Sequence, residues 1–253
     1  IPKNKSISFL KKLPKNKNYS FAIIATGPEV RFKITNYILN NNIIEIILLE
    51  KFLFKNNFEF KRFDKMIKKK RSKIFVNLWG KEVFRKLNLN KIKNSKIELF
   101  VKLRKNNLLT NLIHFIYLVS LFNKNKKFKI SLKKSSLIKS NKNKIYDELS
   151  GMISIISQKV KCFIFSTEEN IFKISLSYSN KKINYVLKKN KLVSNINKKN
   201  IKFPLAKFFT SKFFNDFYFK KEMHLPTYKE VNFLSKRLLL IIEKYFKRKI
   251  LIR

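Results

Sequence analysis

The sequence predicts an α+β protein, with two small α/β modules carrying mixed or antiparallel sheets behind a basic N-terminal arm. Three observations lead there. The chain has 253 residues, which is room for one large domain or two small ones. Apolar residues make up 45% of it, 26 of them Phe, which supports a buried core and excludes a disordered basic tail. Strand-like and helix-like runs then follow one another along the chain, broken by Gly, Pro and Asn-Lys stretches.

Residues 1–20 are basic and predict the extended arm. Phe21–Thr26 is a buried strand stopped by Gly27-Pro28. Ile43–Phe54 is apolar almost all round and reads as a helix, with Glu45, Glu50 and Lys51 its charges. Lys73–Trp79 is a strand broken by Gly80, Glu82–Leu87 a short helix, and Lys96–Leu103 a further strand. These elements define an N-terminal module over residues 21–105. In the second module, residues 106–253, Asn107–Phe122 is a helix whose apolar face is Leu108, Leu112, Phe115, Ile116, Val119 and Phe122. Phe128–Leu132 is a strand, and Ile145–Leu149 a short helix stopped near Gly151. Strands follow at Lys161–Phe165, Ile171–Tyr178 and Lys182–Leu187, the last two forming a hairpin across Ser179-Asn180-Lys181. Val231–Phe246 has helical period.

Charge dominates the composition. Lys and Arg total 59 against 15 Asp and Glu, a net +44. Self-repulsion on that scale calls for a polyanion, nucleic acid first and an anionic membrane surface second. Lys, Phe and Tyr are abundant while Gly (3) and Pro (5) are scarce, the bias of AT-rich codons, and the chain starts at Ile1. Together these predict a gene in an organelle or a reduced endosymbiont. The expected location is the mitochondrial matrix, with a plastid or an endosymbiont cytoplasm as alternatives. The most apolar run, Leu108–Phe122, falls short of the roughly 20 residues a membrane span needs. Cys162 lies in an apolar stretch and reads as a core residue, since a lone thiol makes no internal disulfide or zinc site.

Signatures of catalysis are missing. Gly27, Gly80 and Gly151 are too few and too scattered for a phosphate-cradling loop. His114 and His224 sit in no catalytic motif, and read as structural or RNA-facing. Asp147-Glu148 and Glu168-Glu169 are adjacent pairs, a spacing that suits neither a metal nor an acid/base couple. The expectation is a non-enzyme with no cofactor and no metal. The run Lys65–Arg71 predicts a phosphate-contact strip, with Lys68, Lys69, Lys70 and Arg71 at its centre.

From Asn107 onward the order of motifs resembles the small-subunit ribosomal protein eight family. Leu109-Thr110-Asn111-Leu112 is similar to the L-T-x-I centre of that family's opening helix. Phe128–Leu132, Ser135-Ser136-Leu137 and Ile145–Leu149 with Gly151-Met152-Ile153 follow in the family's order. Thr210-Ser211-Lys212, Thr227–Val231 and Leu238–Ile242 stand for its closing elements, the last of which the resemblance makes a strand. The resemblance covers about 107–242 and implies a structural constituent of an organelle small ribosomal subunit. Its partners would be rRNA and neighbouring ribosomal proteins, with no small-molecule substrate, no membrane span and no homo-oligomer. RNA contacts would fall on Lys124, Lys126, Lys127, Lys133, Lys134 and Ser135, and on Thr210, Ser211 and Lys212 or Thr227 and Lys229. The competing readings are a non-catalytic RNA-processing or nucleoid protein, and a basic membrane-associated subunit.

Overall fold

The structure, a computed structural model, describes residues 10–105, 107–123, 127–140, 144–169, 171–188, 191–194, 200–202, 213, 215–219 and 224–252. Its first unit alternates strands and helices: β1 (Asn18–Ile24), α1 (Pro28–Asn41), β2 (Ile43–Leu49), α2 (Asn57–Ile67) and β3 (Lys73–Val76). The three strands are parallel and lie in the order β1-β2-β3. Pro28 opens α1, where its fixed φ suits the first helical turn. Asn56 starts α2, its side chain accepting the Glu59 N–H at 2.9 Å.

β2 corrects the helix expected over Ile43–Phe54. Its run Ile46–Leu49 is fully buried because both faces of a parallel strand are covered, so the apolar residues do not alternate with polar ones. Ile47 and Leu49 join Phe32, Leu39, Phe60 and Phe63 in the main core. Ile46 and Leu48 face the other way and meet Phe75, Phe213 and Leu225.

After α3 (Gly80–Lys86) the chain enters a mixed eight-stranded sheet. Its strands are β4 (Ile97–Arg104), β5 (Lys129–Lys139), β6 (Asp147–Ile156), β7 (Val160–Thr167), β8 (Lys173–Tyr178), β9 (Lys181–Lys188), β10 (Lys191–Ser194) and β11 (Asn200–Lys202). The order is β11-β10-β9-β8-β4-β7-β6-β5, with β4 parallel to β7 and the other pairs antiparallel. β4, the last strand expected of the first module, is thus an interior strand of the second sheet. α4 (Leu108–Phe122) packs on β6 and β7, and α5 (Tyr228–Phe246) packs against α4. One hydrophobic core runs through both units.

The α+β class holds. The expected arm is another matter: residues 1–9 lie outside the described residues, and Asn18–Ser20 already belong to β1. The short helix expected at Ile145–Leu149 is instead the start of β6. The strand that the ribosomal resemblance placed at Leu238–Ile242 is the middle of α5, an amphipathic helix opened by a Thr227–Glu230 capping box. The β8–β9 hairpin turns on Ser179 and Asn180, both at positive φ, in the manner of tight hairpins. At the start of β6, Asp147 accepts from Lys139 (2.9 Å), Arg248 (2.6 Å) and the Leu251 N–H (3.1 Å), and its own N–H donates to the Leu251 carbonyl (2.7 Å).

Gly151 ends no helix. It sits at φ +105° beside the β-bulge of the β5–β6 pair, where a Cβ would run into the Lys134 carbonyl. Gly151→Ala should therefore cost about 1–3 kcal/mol, the usual range for a non-glycine residue forced into such backbone. Urea denaturation measures it; an unchanged midpoint would mean that the bulge relaxes freely.

Candidate active site

Because β1, β2 and β3 are parallel, their C-terminal ends share one edge, the place where open α/β sheets bind ligands. The exits are laced together. Glu50 N–H donates to the Ile24 carbonyl (3.2 Å), Asn77 N–H donates to the Leu49 carbonyl (2.9 Å), and the Asn77 amide donates to the Glu50 carboxylate. Arg31, 2% exposed, reaches back from α1 and donates to the carbonyls of Thr26, Phe52 and Leu53. Burial lowers its pKa to about 10, with Glu50 and Glu29 opposing the fall. This guanidinium clamps the first two exits in place.

Lys51 is the second residue past β2, and its ammonium donates to the Thr110 carbonyl in the first turn of α4 at 2.6 Å. One turn further along α4 stands His114, 3% exposed. Trp79, after β3, stacks on the imidazole with ring centroids 4.4 Å apart and an interplanar angle of 15°. The Trp79 N–H donates to His114 Nδ1 at 3.4 Å, which leaves the ring proton on Nε2. Burial first, and Lys51 second, push the imidazole pKa well below the ordinary range. His114 is therefore neutral near pH 7, a fixed N–H donor beside a cation. Phe115 and Phe172 close in on Trp79 and complete an apolar wall.

α4 is aimed by a carboxylate from another element. Glu148, 1% exposed on β6, accepts the N–H groups of Leu109 and Thr110, the Thr110 hydroxyl (2.7 Å) and the Leu149 N–H (2.9 Å). It serves as the helix's anionic cap, which Asn107 does not provide. Burial raises its pKa even though these four donors pull the other way.

The residues expected from the sequence lie elsewhere. Lys68, Lys69, Lys70 and Arg71 follow α2, and Lys127 precedes β5. Lys133, Lys134 and Ser135 lie along the β5 bulge. Lys124, Lys126, Thr210, Ser211 and Lys212 fall outside the described residues. Thr227 caps α5, and Lys229 is in its first turn. The structure brings Lys68 and Lys70 together with Thr227 and Lys229 along one groove. Sequence reasoning singles out none of Glu50, Lys51, Asn77, Trp79 and Glu148 for function, and reads His114 as structural or RNA-facing. Among the described residues no cluster of His, Cys, Asp or Glu could hold a metal, and no helix is long and apolar enough to cross a membrane.

No protein-family model matches the chain, and no curated protein matches it. Solved structures do. A dehydrogenase (MviM) from Clostridium difficile aligns with a TM-score of 0.59 at 15% identity, over 90% of this chain and 78% of that one. Biliverdin reductase from Synechocystis, in complex with biliverdin and NADP+, aligns at 0.60 and 12% identity, over 88% and 78%. A Gfo/Idh/MocA family oxidoreductase from Vibrio cholerae gives 0.55 and 11%, over 89% and 79%. At such identities the likeness establishes the fold, which is that of these oxidoreductases. The resemblance to ribosomal protein eight is thereby overturned. With it fall the structural role in a ribosomal subunit, the rRNA and ribosomal-protein partners, the alternative non-catalytic RNA-binding roles and the expectation of a non-enzyme.

The neutral state of His114 has a consequence for stability. The unfolded chain takes up a proton at this residue near pH 6.5, about its ordinary pKa, while the folded chain does so only well below that. Stability thus falls as the pH drops through about 6.5, by up to about 1.4 kcal/mol per pH unit from this residue. Wild type and His114→Gln, compared by urea denaturation from about pH 7.5 to about pH 5, isolate the effect. Wild type should lose more stability on acidification; parallel curves would show a normally titrating histidine.

Proposed function

We propose that this chain is an enzyme, on a fold shared with oxidoreductases, that polarises and protonates the carbonyl or hydroxyl oxygen of a small molecule. The reaction centre is the carboxyl edge of the parallel sheet, with Lys51 and His114 holding that oxygen. The observation that carries the reading is the neutral imidazole of His114, stacked on Trp79 and accepting its N–H at Nδ1, one helical turn from the Thr110 carbonyl that holds the Lys51 ammonium. The fold shared with a dehydrogenase and a reductase supports it.

One of those relatives is complexed with NADP+, and such a cofactor needs a place for its phosphates. A glycine-rich turn at the start of a helix ordinarily provides it. The β1–α1 turn has Gly27 alone, and the Glu29 carboxylate fills the space over that glycine. The Glu29 side chain also accepts the Tyr146 hydroxyl at 3.0 Å. An anion stands where the phosphate's charge would lie, so this turn does not fit a dinucleotide's phosphates. The chemistry assigned to the site is that of its own side chains.

Lys51, steadied by Thr110, places positive charge against the substrate oxygen. His114 donates from Nε2 to the same atom. Negative charge developing there meets two donors already oriented in a water-poor setting, where such donors are most effective. A proton bound for that oxygen would come from one of the two. The field of a +44 chain favours anionic substrates such as oxo acids and acidic sugars.

Trp79, the chain's single tryptophan, reports on occupancy by its fluorescence. Titration with a panel of oxo acids and oxidised sugars should quench or shift its emission. Lys51→Met and His114→Phe should weaken that response, and should lower kcat on the compound that is turned over by about 10²–10³, the usual loss for one such donor. Full binding and turnover by both variants, or a Trp79 signal indifferent to every compound in the panel, would overturn the reading.

A further inference from the structure

Away from the carboxyl edge, a groove of 890 Å³ runs between the end of α2, the start of β3 and the first turn of α5. Its volume lies within the roughly 300–1,000 Å³ typical of small-molecule sites. We propose that this groove binds a phosphate-bearing small molecule with a flat apolar body, of the nucleoside diphosphate class.

Charge is the first ground. Lys68, Lys70, Lys73 and Lys229 line the groove, and none of the four forms an ion pair among the described residues. The groove's carboxylate, Asp64, is already committed. It accepts the Tyr228 hydroxyl at 2.9 Å, the Asn232 amide at 2.7 Å and the Lys236 ammonium at 2.7 Å. The lining therefore keeps a positive excess that two to four phosphate charges would neutralise.

Orientation is the second. α5 runs for 19 residues, and its N-terminus, set by the Thr227–Glu230 capping box, opens on this groove. The Glu230 carboxylate at the N-cap offsets the positive end of this helix, so the attraction on this side comes from the Lys229 ammonium beside it. The strip Lys68–Lys73 is held opposite because Tyr228 and Asn232 tie α5 to α2 through Asp64, and Phe75 bridges to Thr227.

The floor is the third. Ile67, Ile74 and Phe75 line the same space. A bare phosphate leaves that surface wet, whereas a ligand with a planar apolar part covers it. The groove is thus built for an amphipathic anion, and it draws together cations from both ends of the chain.

Calorimetric titration of the full chain with ADP and with inorganic pyrophosphate, at physiological salt, tests this. ADP should bind in a single site and more tightly than pyrophosphate. Lys70→Ala combined with Lys229→Ala should weaken ADP at least tenfold. Lys159→Ala combined with Lys182→Ala, in a second lysine-lined groove at the far end of β7 and β9, should leave it unchanged. Lys51→Met should also leave it unchanged, which separates this site from the proposed reaction centre. Equal weakening by both double variants would reveal diffuse attraction by a basic surface and overturn the proposal. So would loss of ADP in Lys51→Met, pyrophosphate binding as tight as ADP, or binding of an RNA oligonucleotide with neither small ligand bound. Circular dichroism confirms that each variant is folded.

Discussion

A single buried carboxylate orients the helix around which the molecule is arranged. Glu148 leaves water to take the first N–H groups of α4, and its raised pKa shows that its burial is only partly offset. Charged hydrogen bonds of this kind contribute about 1.5–3 kcal/mol each, and an unpaired buried donor costs about as much. Without Glu148 the first turn of α4 would hold orphaned N–H groups against β6. Because α4 presents Thr110 to Lys51 and His114 to Trp79, the cap also sets the geometry of the candidate site.

The site is consequently a meeting of two units. The parallel sheet contributes Glu50, Lys51, Asn77 and Trp79 from its carboxyl edge, and the helix on the mixed sheet contributes Thr110 and His114. Arg31 fixes one side by grasping three carbonyls, and Glu148 fixes the other by accepting from one helix end. Two buried ions of opposite sign thus do equivalent work on the backbone, each pinning a loop or helix terminus that packing alone would leave free to shift.

Much of the fold was legible. The α4 and α5 helices, β1, β3, β4, β7 and the β8–β9 hairpin follow from periodicity and turn residues. β2 was not legible as a strand, since Ile46–Leu49 is covered on both faces and its apolar run has no alternation to distinguish it from a buried helix. That error hid the site as well. Read as helix, Glu50 and Lys51 are two charges on a turn; read as strand, they are the first polar residues past a parallel strand, which is where ligand-binding side chains belong. His114 was hidden for another reason. Its partners, Trp79 and Lys51, are far away in sequence, and nothing local distinguishes a neutral donor from a core histidine. Glu148 was hidden by its neighbour, because an adjacent acidic pair suits neither a metal nor an acid/base couple, and its role emerges only when β6 turns one side chain to α4 and the other to the C-terminal segment.

That division of the Asp147-Glu148 pair has an implication for how the protein comes into being. Asp147 is held by Arg248 and by both backbone groups of Leu251, with Ile250 and Ile252 buried alongside. The strand residue next to it seats the helix that carries His114. During synthesis, then, the parallel unit and most of the mixed sheet emerge long before the segment that secures Asp147. Without residues 248–252, β6 lacks the partners that hold Asp147, one residue from the carboxylate on which α4 is seated. A chain with both sheets formed but this segment undocked would thus leave one end of that seat unsecured.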